Sequence, residues 1–160
     1  MRQSPVLRRA RTLASLGPAR LALLAEAALA LAWARLTILL TPSMAPASRW
    51  GVLVPADDPG AGSGLIASDA HRLATARQIG WAVATAARLV PFRAVCLPQA
   101  LAARAMLARR GTPSVLHFGA RRDDARAMVA HAWLDAAGAR VTGYPIDPGI
   151  AEIGAFVNHQ

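Results

Sequence analysis

Cys96 is the only cysteine in the chain, and its position suggests chemistry. It stands just before Leu97-Pro98-Gln99-Ala100-Leu101, a segment that reads as the first turn of a helix. Proline fits the first helical turn, where no amide hydrogen is needed. A thiol at that end sits in the positive field of the helix dipole, which favours the thiolate. The free amide hydrogens of the same turn suit an oxyanion. A thiol nucleophile also needs a base to take and return its proton, and a group to orient that base. His131, inside the apolar run Met128–Leu134, is the candidate base. Taken alone, the pair has a bland alternative: a small core cysteine and a strand histidine held by a carbonyl.

The elements that would carry these residues follow from periodicity. Residues 21–40, LALLAEAALALAWARLTILL, form an apolar helix that Pro42 and Pro46 would end. Its length suits a bilayer, but Glu26 and Arg35 would each cost about 2.5–3.5 kcal/mol near the centre of a span. The expectation is a buried or groove-lining soluble helix, with a membrane-surface helix and a true span as the alternatives. The two residues are nine apart and so do not pair along the helix. Residues 41–67 are rich in Pro, Gly, Ser and Asp, with Trp50 and Val52–Val54 as a short buried piece. Ser68 or Asp69 caps a second helix. It carries Leu73, Ala76, Ile79, Gly80, Val83 and Ala87 on one face and runs to about Val90, before Pro91. The third helix starts near Cys96 with Leu97, Leu101 and Ala105 as its stripe. Arg109 and Arg110 complement its C-terminus and Gly111 ends it.

The period then changes to that of strands. SVLHFGA (114–120), MVAHAWLD (128–135) and ARVTGY (139–144) read as an antiparallel meander, joined by the polar turn RRDDAR with Asp123 and Asp124 and by a tight AAG turn. Helices first and strands after give an α+β fold. The expected division is a basic segment, apolar helix and Gly/Pro loop over 1–67, then a catalytic core over 68–160.

Composition narrows the function classes. The chain has 160 residues, which suits one domain. It is 54% hydrophobic, which argues against extensive disorder. One cysteine excludes an internal disulfide framework and any multi-cysteine metal site. His71, His117, His131 and His159 are scattered without ligand spacing, so no metal and no cofactor are expected. The net charge is +9, with 18 Arg and no Lys. Arg2, Arg8, Arg9, Arg11 and Arg20 cluster at the start, and no nucleic-acid-binding motif accompanies them. They are read as a solvated basic end, with anionic lipid as the alternative partner and no nucleic acid.

Three strings together are more specific than any single residue: Cys96-Leu97-Pro98-Gln99-Ala100-Leu101, Met106 through Arg109-Arg110-Gly111-Thr112-Pro113, and Ala130-His131-Ala132-Trp133-Leu134. With Ile79-Gly80-Trp81-Ala82-Val83 and Pro91-Phe92-Arg93 upstream, they resemble the transglutaminase-like leader peptidases of lasso-peptide biosynthesis. The resemblance is strong over about 79–144 and loose over 20–40. It implies a papain-like or transglutaminase-like core with a Cys–His–Asp triad that cuts the leader from a ribosomally made precursor, after which a separate cyclase closes the ring. Cys96 is then the nucleophile and His131 the base and later the acid.

The resemblance also implies an Asp twelve residues after the histidine. Here that position is Gly143. Asp135 shares a face with His131 but lies four strand residues away, roughly 13 Å. Asp147, in Ile146-Asp147-Pro148, resembles the Asp-Pro of the wider transglutaminase group and is the candidate third member. Alternatively, Asp147 only starts a turn, and a carbonyl or Thr142 orients His131. His117 is expected to be structural, His71 and His159 to lie at the surface, and Trp81 and Trp133 to be core aromatics near the site. Some members of this family carry a leader-binding domain before the peptidase. Residues 1–78 do not read as one, so a separate leader-binding protein is an expected partner, docking on Leu24, Leu31 and Ile38. The precursor peptide and the cyclase are the others. The expected location is the cytoplasm, with possible membrane association. Two rivals remain: a catalytically silent scaffold binding precursor and cyclase, and a basic membrane-surface protein built on residues 1–40.

Overall fold

A computed structural model describes residues 17–40, 51–66 and 69–157. The basic cluster Arg2–Arg11, the helix stop at Pro42 and Pro46, and Trp50, Ser68 and His159 lie outside the described residues. The elements are α1 (Pro18–Leu40), β1 (Val52–Pro55), a 3-10 turn (Ala61–Leu65), α2 (Ala70–Ala86), α3 (Cys96–Ala108), β2 (Val115–Arg122), β3 (Met128–Ala136), β4 (Ala139–Thr142) and β5 (Ala151–Val157). The fold is α+β, with α2 and α3 against one face of an antiparallel sheet and α1 packed on those two helices.

Each helix forms for a local reason and is held by burial. Pro18 opens α1 with its ring already at a helical φ, and Gly17 O takes the amides of Arg20 and Leu21. Leu24, Ala27, Ala30, Leu31 and Ala34 form its buried face, packed on α2 and α3. Leu24 and Leu31 are therefore core residues, not a docking surface; Leu31 is 0% exposed. The opposite face presents Leu29, Trp33, Leu36 and Leu40 to solvent. The helix is long and apolar enough to cross a membrane by length and composition, yet its buried face belongs to the same core as the sheet. Glu26 reaches Arg109 at 2.7 Å and Arg110 at 2.6 Å. Those two arginines thus clamp α1, beyond the helix-end role expected of them.

Asp69 caps α2 by accepting the Arg72 amide. Ala76, Ile79, Gly80, Ala82, Val83 and Ala86 are buried on this helix, close to the expected stripe. It ends at Ala86, four residues earlier than expected, in a run of turns leading to Pro91. Helix α3 is buried more widely than one stripe: Ala100 to Arg104, Met106 and Leu107 are all inside, because it packs against α1, α2, β3 and β4 together. Small residues on most of its circumference permit this.

The sheet order is β1-β5-β2-β3-β4. The expected meander is β2-β3-β4, and two strands extend it. β5 returns to lie between β1 and β2. β1 is an edge strand, largely exposed rather than buried, and ends at Pro55, which an edge tolerates. Asp123 and Asp124 form the β2–β3 turn, with the Asp123 carboxylate accepting the Ala127 amide. Leu116, Leu134, Ala136 and Phe156 face the helices. By alternation His117, His131, Trp133 and Asp135 face the other side.

Candidate active site

Cys96 is the first residue of α3 and is partly exposed. Val95 precedes it as N-cap and supplies no side-chain acceptor. Pro98 has no amide hydrogen, and the Gln99 amide already returns to Val95 O at 3.3 Å. The amides of Cys96 and Leu97 are therefore the first-turn donors without a helical acceptor. The Gln99 side chain donates to Ala94 O at 2.7 Å and fixes the loop that delivers the thiol.

His131 lies on β3 and is half-buried. β4 pairs only with Leu134–Ala136, so on that side the His131 stretch of β3 has no strand beside it. After Thr142 the chain turns, and Gly143 O lies 2.6 Å from His131 Nε2. A carbonyl only accepts, so Nε2 carries the hydrogen and Nδ1 keeps its lone pair. The turn requires glycine. Gly143 has φ +83°, and a Cβ there would stand 2.5 Å from Ala132 O and 2.6 Å from Trp133 Cβ. An aspartate twelve residues after the histidine does not fit this backbone. The carbonyl of the same residue takes the ring instead, as one of the sequence alternatives held.

The structure does not bring Asp147 to His131. One Asp147 oxygen accepts the Gly149 amide at 2.8 Å and the other faces Arg121 at 3.2 Å. The side chain is half exposed and starts the turn through Pro148, the bland reading of this residue. Thr142 does not hold the ring either; its buried hydroxyl has no hydrogen-bond partner. Among the described residues no hydrogen bond joins Cys96 to His131.

Behind His131 lies a cluster that sequence reasoning missed. His117 is 5% exposed and Asp135 is 2% exposed. His117 Nδ1 lies 2.7 Å from Glu152 Oε1, and Nε2 lies 3.2 Å from Asp135 Oδ2, at ion-pair distance but off the hydrogen-bond line. The Tyr144 hydroxyl donates to Asp135 Oδ1 at 2.7 Å. Burial opposes the His117 charge, but the neighbouring carboxylates of Asp135 and Glu152 outweigh it and raise its pKa above the ordinary histidine value. Burial and the Asp135 carboxylate push the Tyr144 phenol well above its usual range. Period-2 spacing on β3 put His131, Trp133 and Asp135 on one face, but nothing local linked Glu152 or Tyr144 to them. Trp133 is a core aromatic beside the site, as expected. Trp81 is not: it is 39% exposed, with Arg20 stacked over its ring. Among the described residues no group of three His, Cys, Asp or Glu side chains could hold a metal ion.

The family model of the Transglutaminase-like superfamily matches residues 21–149. The chain belongs to the transglutaminase-like superfamily. The match runs from α1 through Cys96, His131 and Gly143 to the turn after Asp147. No curated protein and no solved structure matches the chain. The fold of this superfamily generally serves cysteine-dependent peptidases and acyltransferases, in which a thiolate attacks a carbonyl.

Proposed function

We propose that this transglutaminase-like protein is a thiol peptidase that removes the leader from a lasso-peptide precursor. The observation that carries the reading is the helix-borne thiol of Cys96 together with a histidine whose Nδ1 lone pair is set free by the Gly143 carbonyl. In this mechanism Nδ1 of His131 takes the thiol proton and Sγ of Cys96 attacks the scissile carbonyl. The amides of Cys96 and Leu97 receive the oxyanion. His131 returns the proton to the leaving amine, and the acyl group stays on sulfur. Water, deprotonated by the same nitrogen, then releases the carboxylate and regenerates the thiol. The first step requires thiol and ring within hydrogen-bond reach of each other, a contact that no hydrogen bond among the described residues makes, and strand alternation turns His131 away from the sheet face that carries α3.

The finer part, a lasso precursor as substrate, rests on the resemblance of the CLPQAL and AHAW strings. A separate leader-binding protein and a cyclase complete the assembly in this reading. Their docking face is the exposed side of α1, with Leu29, Trp33 and Leu36. A second reading, a silent scaffold of the same fold, is favoured by one observation: among the described residues no carboxylate is bonded to His131. Co-expression with a lasso-type precursor peptide separates the two. The peptidase gives free leader and core by mass spectrometry, and Cys96→Ala gives only uncut precursor. Uncut precursor in both would favour the scaffold.

A further inference from the structure

We propose that His117 is a positioning residue for His131, acting through Trp133 on one side and through Asp135, Tyr144 and Gly143 on the other. The inference rests on the reading of His131 as the base.

His117 and Trp133 are cross-strand partners on β2 and β3. Their rings are parallel, at an interplanar angle of 0° and a centroid distance of 5.2 Å. Trp133 in turn lies against His131 at 6.0 Å and 22°. The indole therefore has two imidazole neighbours. It has that space because position 119 is glycine: a Cβ there would be 3.0 Å from the Trp133 ring. The stacked imidazole of His117 holds the indole in one orientation, and the indole limits the rotation of His131.

The second arm begins at the same residue. His117 faces Asp135, Asp135 accepts the Tyr144 hydroxyl, and Tyr144 follows Gly143, whose carbonyl takes Nε2 of His131. Arg140 stacks over the Tyr144 ring at 5.2 Å and closes the outer side. Glu152 on β5 holds the other nitrogen of His117. The contacts form a closed circuit, His117–Asp135–Tyr144–Gly143–His131–Trp133–His117. His117 thus bears on both the ring plane and the tautomer of the proposed base, in a site where, among the described residues, no carboxylate is bonded to His131.

The test uses the full chain labelled with nitrogen-15 on histidine, in wild type, His117→Phe and Tyr144→Phe. Long-range nitrogen–proton spectra report the His131 tautomer directly, whether or not the protein cuts peptide. Wild type should show one tautomer protonated at Nε2. Both variants should show a mixture. In cleavage of the precursor, kcat should fall about tenfold with KM nearly unchanged, as for a group that aligns the base without touching substrate. His117→Phe keeps a flat ring against Trp133; if it does not fold, Tyr144→Phe removes one hydroxyl at a half-buried position and carries the test. A folded variant of either kind with His131 still wholly in the wild-type tautomer overturns the inference. A wild-type protein that fails to cut precursor overturns the peptidase reading but leaves the tautomer result to judge the positioning role.

Discussion

Restoring the family aspartate at position 143 should damage this protein. Gly143→Asp would force a side chain onto φ +83°, which costs about 1–2 kcal/mol for an L-residue. The new Cβ would stand 2.5 Å from Ala132 O and 2.6 Å from Trp133 Cβ. Both contacts lie on β3, which is paired with β2 along its whole length and cannot move aside. Overpacking of that kind costs about 1–3 kcal/mol. The sum, about 2–5 kcal/mol, is a large share of the roughly 5–15 kcal/mol typical of a domain. With a urea slope of about 2 kcal/mol per molar, the unfolding midpoint should fall by about 1–2.5 M. Gly143→Ala should lose nearly as much, since the clash is with Cβ. Cleavage should drop in both, because the carbonyl that fixes His131 moves with the turn. Urea titration by circular dichroism, paired with precursor cleavage, measures both effects. A Gly143→Asp protein as stable as wild type and faster would refute the reasoning. It would mean the chain lacks an orienting carboxylate and that the carbonyl has no such role.

Asp147→Asn should leave turnover within about twofold of wild type, because Asp147 serves Arg121 and the Gly149 amide and not the base; a large loss of kcat would return it to the triad. Leu31→Ala should cost about 3–5 kcal/mol in urea unfolding, since Leu31 is fully buried. Leu36→Asp, on the exposed face of α1, should leave stability unchanged while weakening stimulation by a leader-binding protein; equal stability losses would show that face to be covered by this chain. Acid should also weaken the α1 clamp. The Arg110 hydrogen bond, against the opposing effect of burial and with help from Arg109, lowers the Glu26 pKa from 4.5 to about 2. A depressed carboxyl stabilises above its unfolded pKa, and that stability is lost as pH falls from 4.5 through about 2. The loss should be about 1–2 kcal/mol after allowing for the solvent around Arg109, and Glu26→Gln should remove that part of the pH dependence.

What the sequence made legible follows from local physics. Apolar spacing located α2 and α3, and Pro98 placed Cys96 at a helix start. Alternation located β2 and β3 with His131 mid-strand. β5 was hidden because Ala151, Gly154 and Ala155 have weak strand preference, and its stability comes from pairing with two neighbours. The partners of Asp147 were not legible for a similar reason: its Asp-Pro setting is local, whereas Arg121, which it faces, comes from β2, 26 residues earlier. The Gly143 carbonyl could not be read because backbone acceptors carry no residue signature. The His117 cluster draws on three strands and the loop after β4, so its members share no spacing.

The most direct test of the central claim is the mass of what this protein makes from the precursor peptide. Purified full-length protein, with and without a leader-binding partner, is incubated with the precursor and the products are weighed. The account predicts leader and core fragments whose masses sum to the precursor plus one water, formed by wild type and absent with Cys96→Ala and His131→Ala. Fragments formed equally by Cys96→Ala would contradict thiol catalysis. A single product lighter than the precursor by one ammonia would contradict hydrolysis and make the protein an acyltransferase.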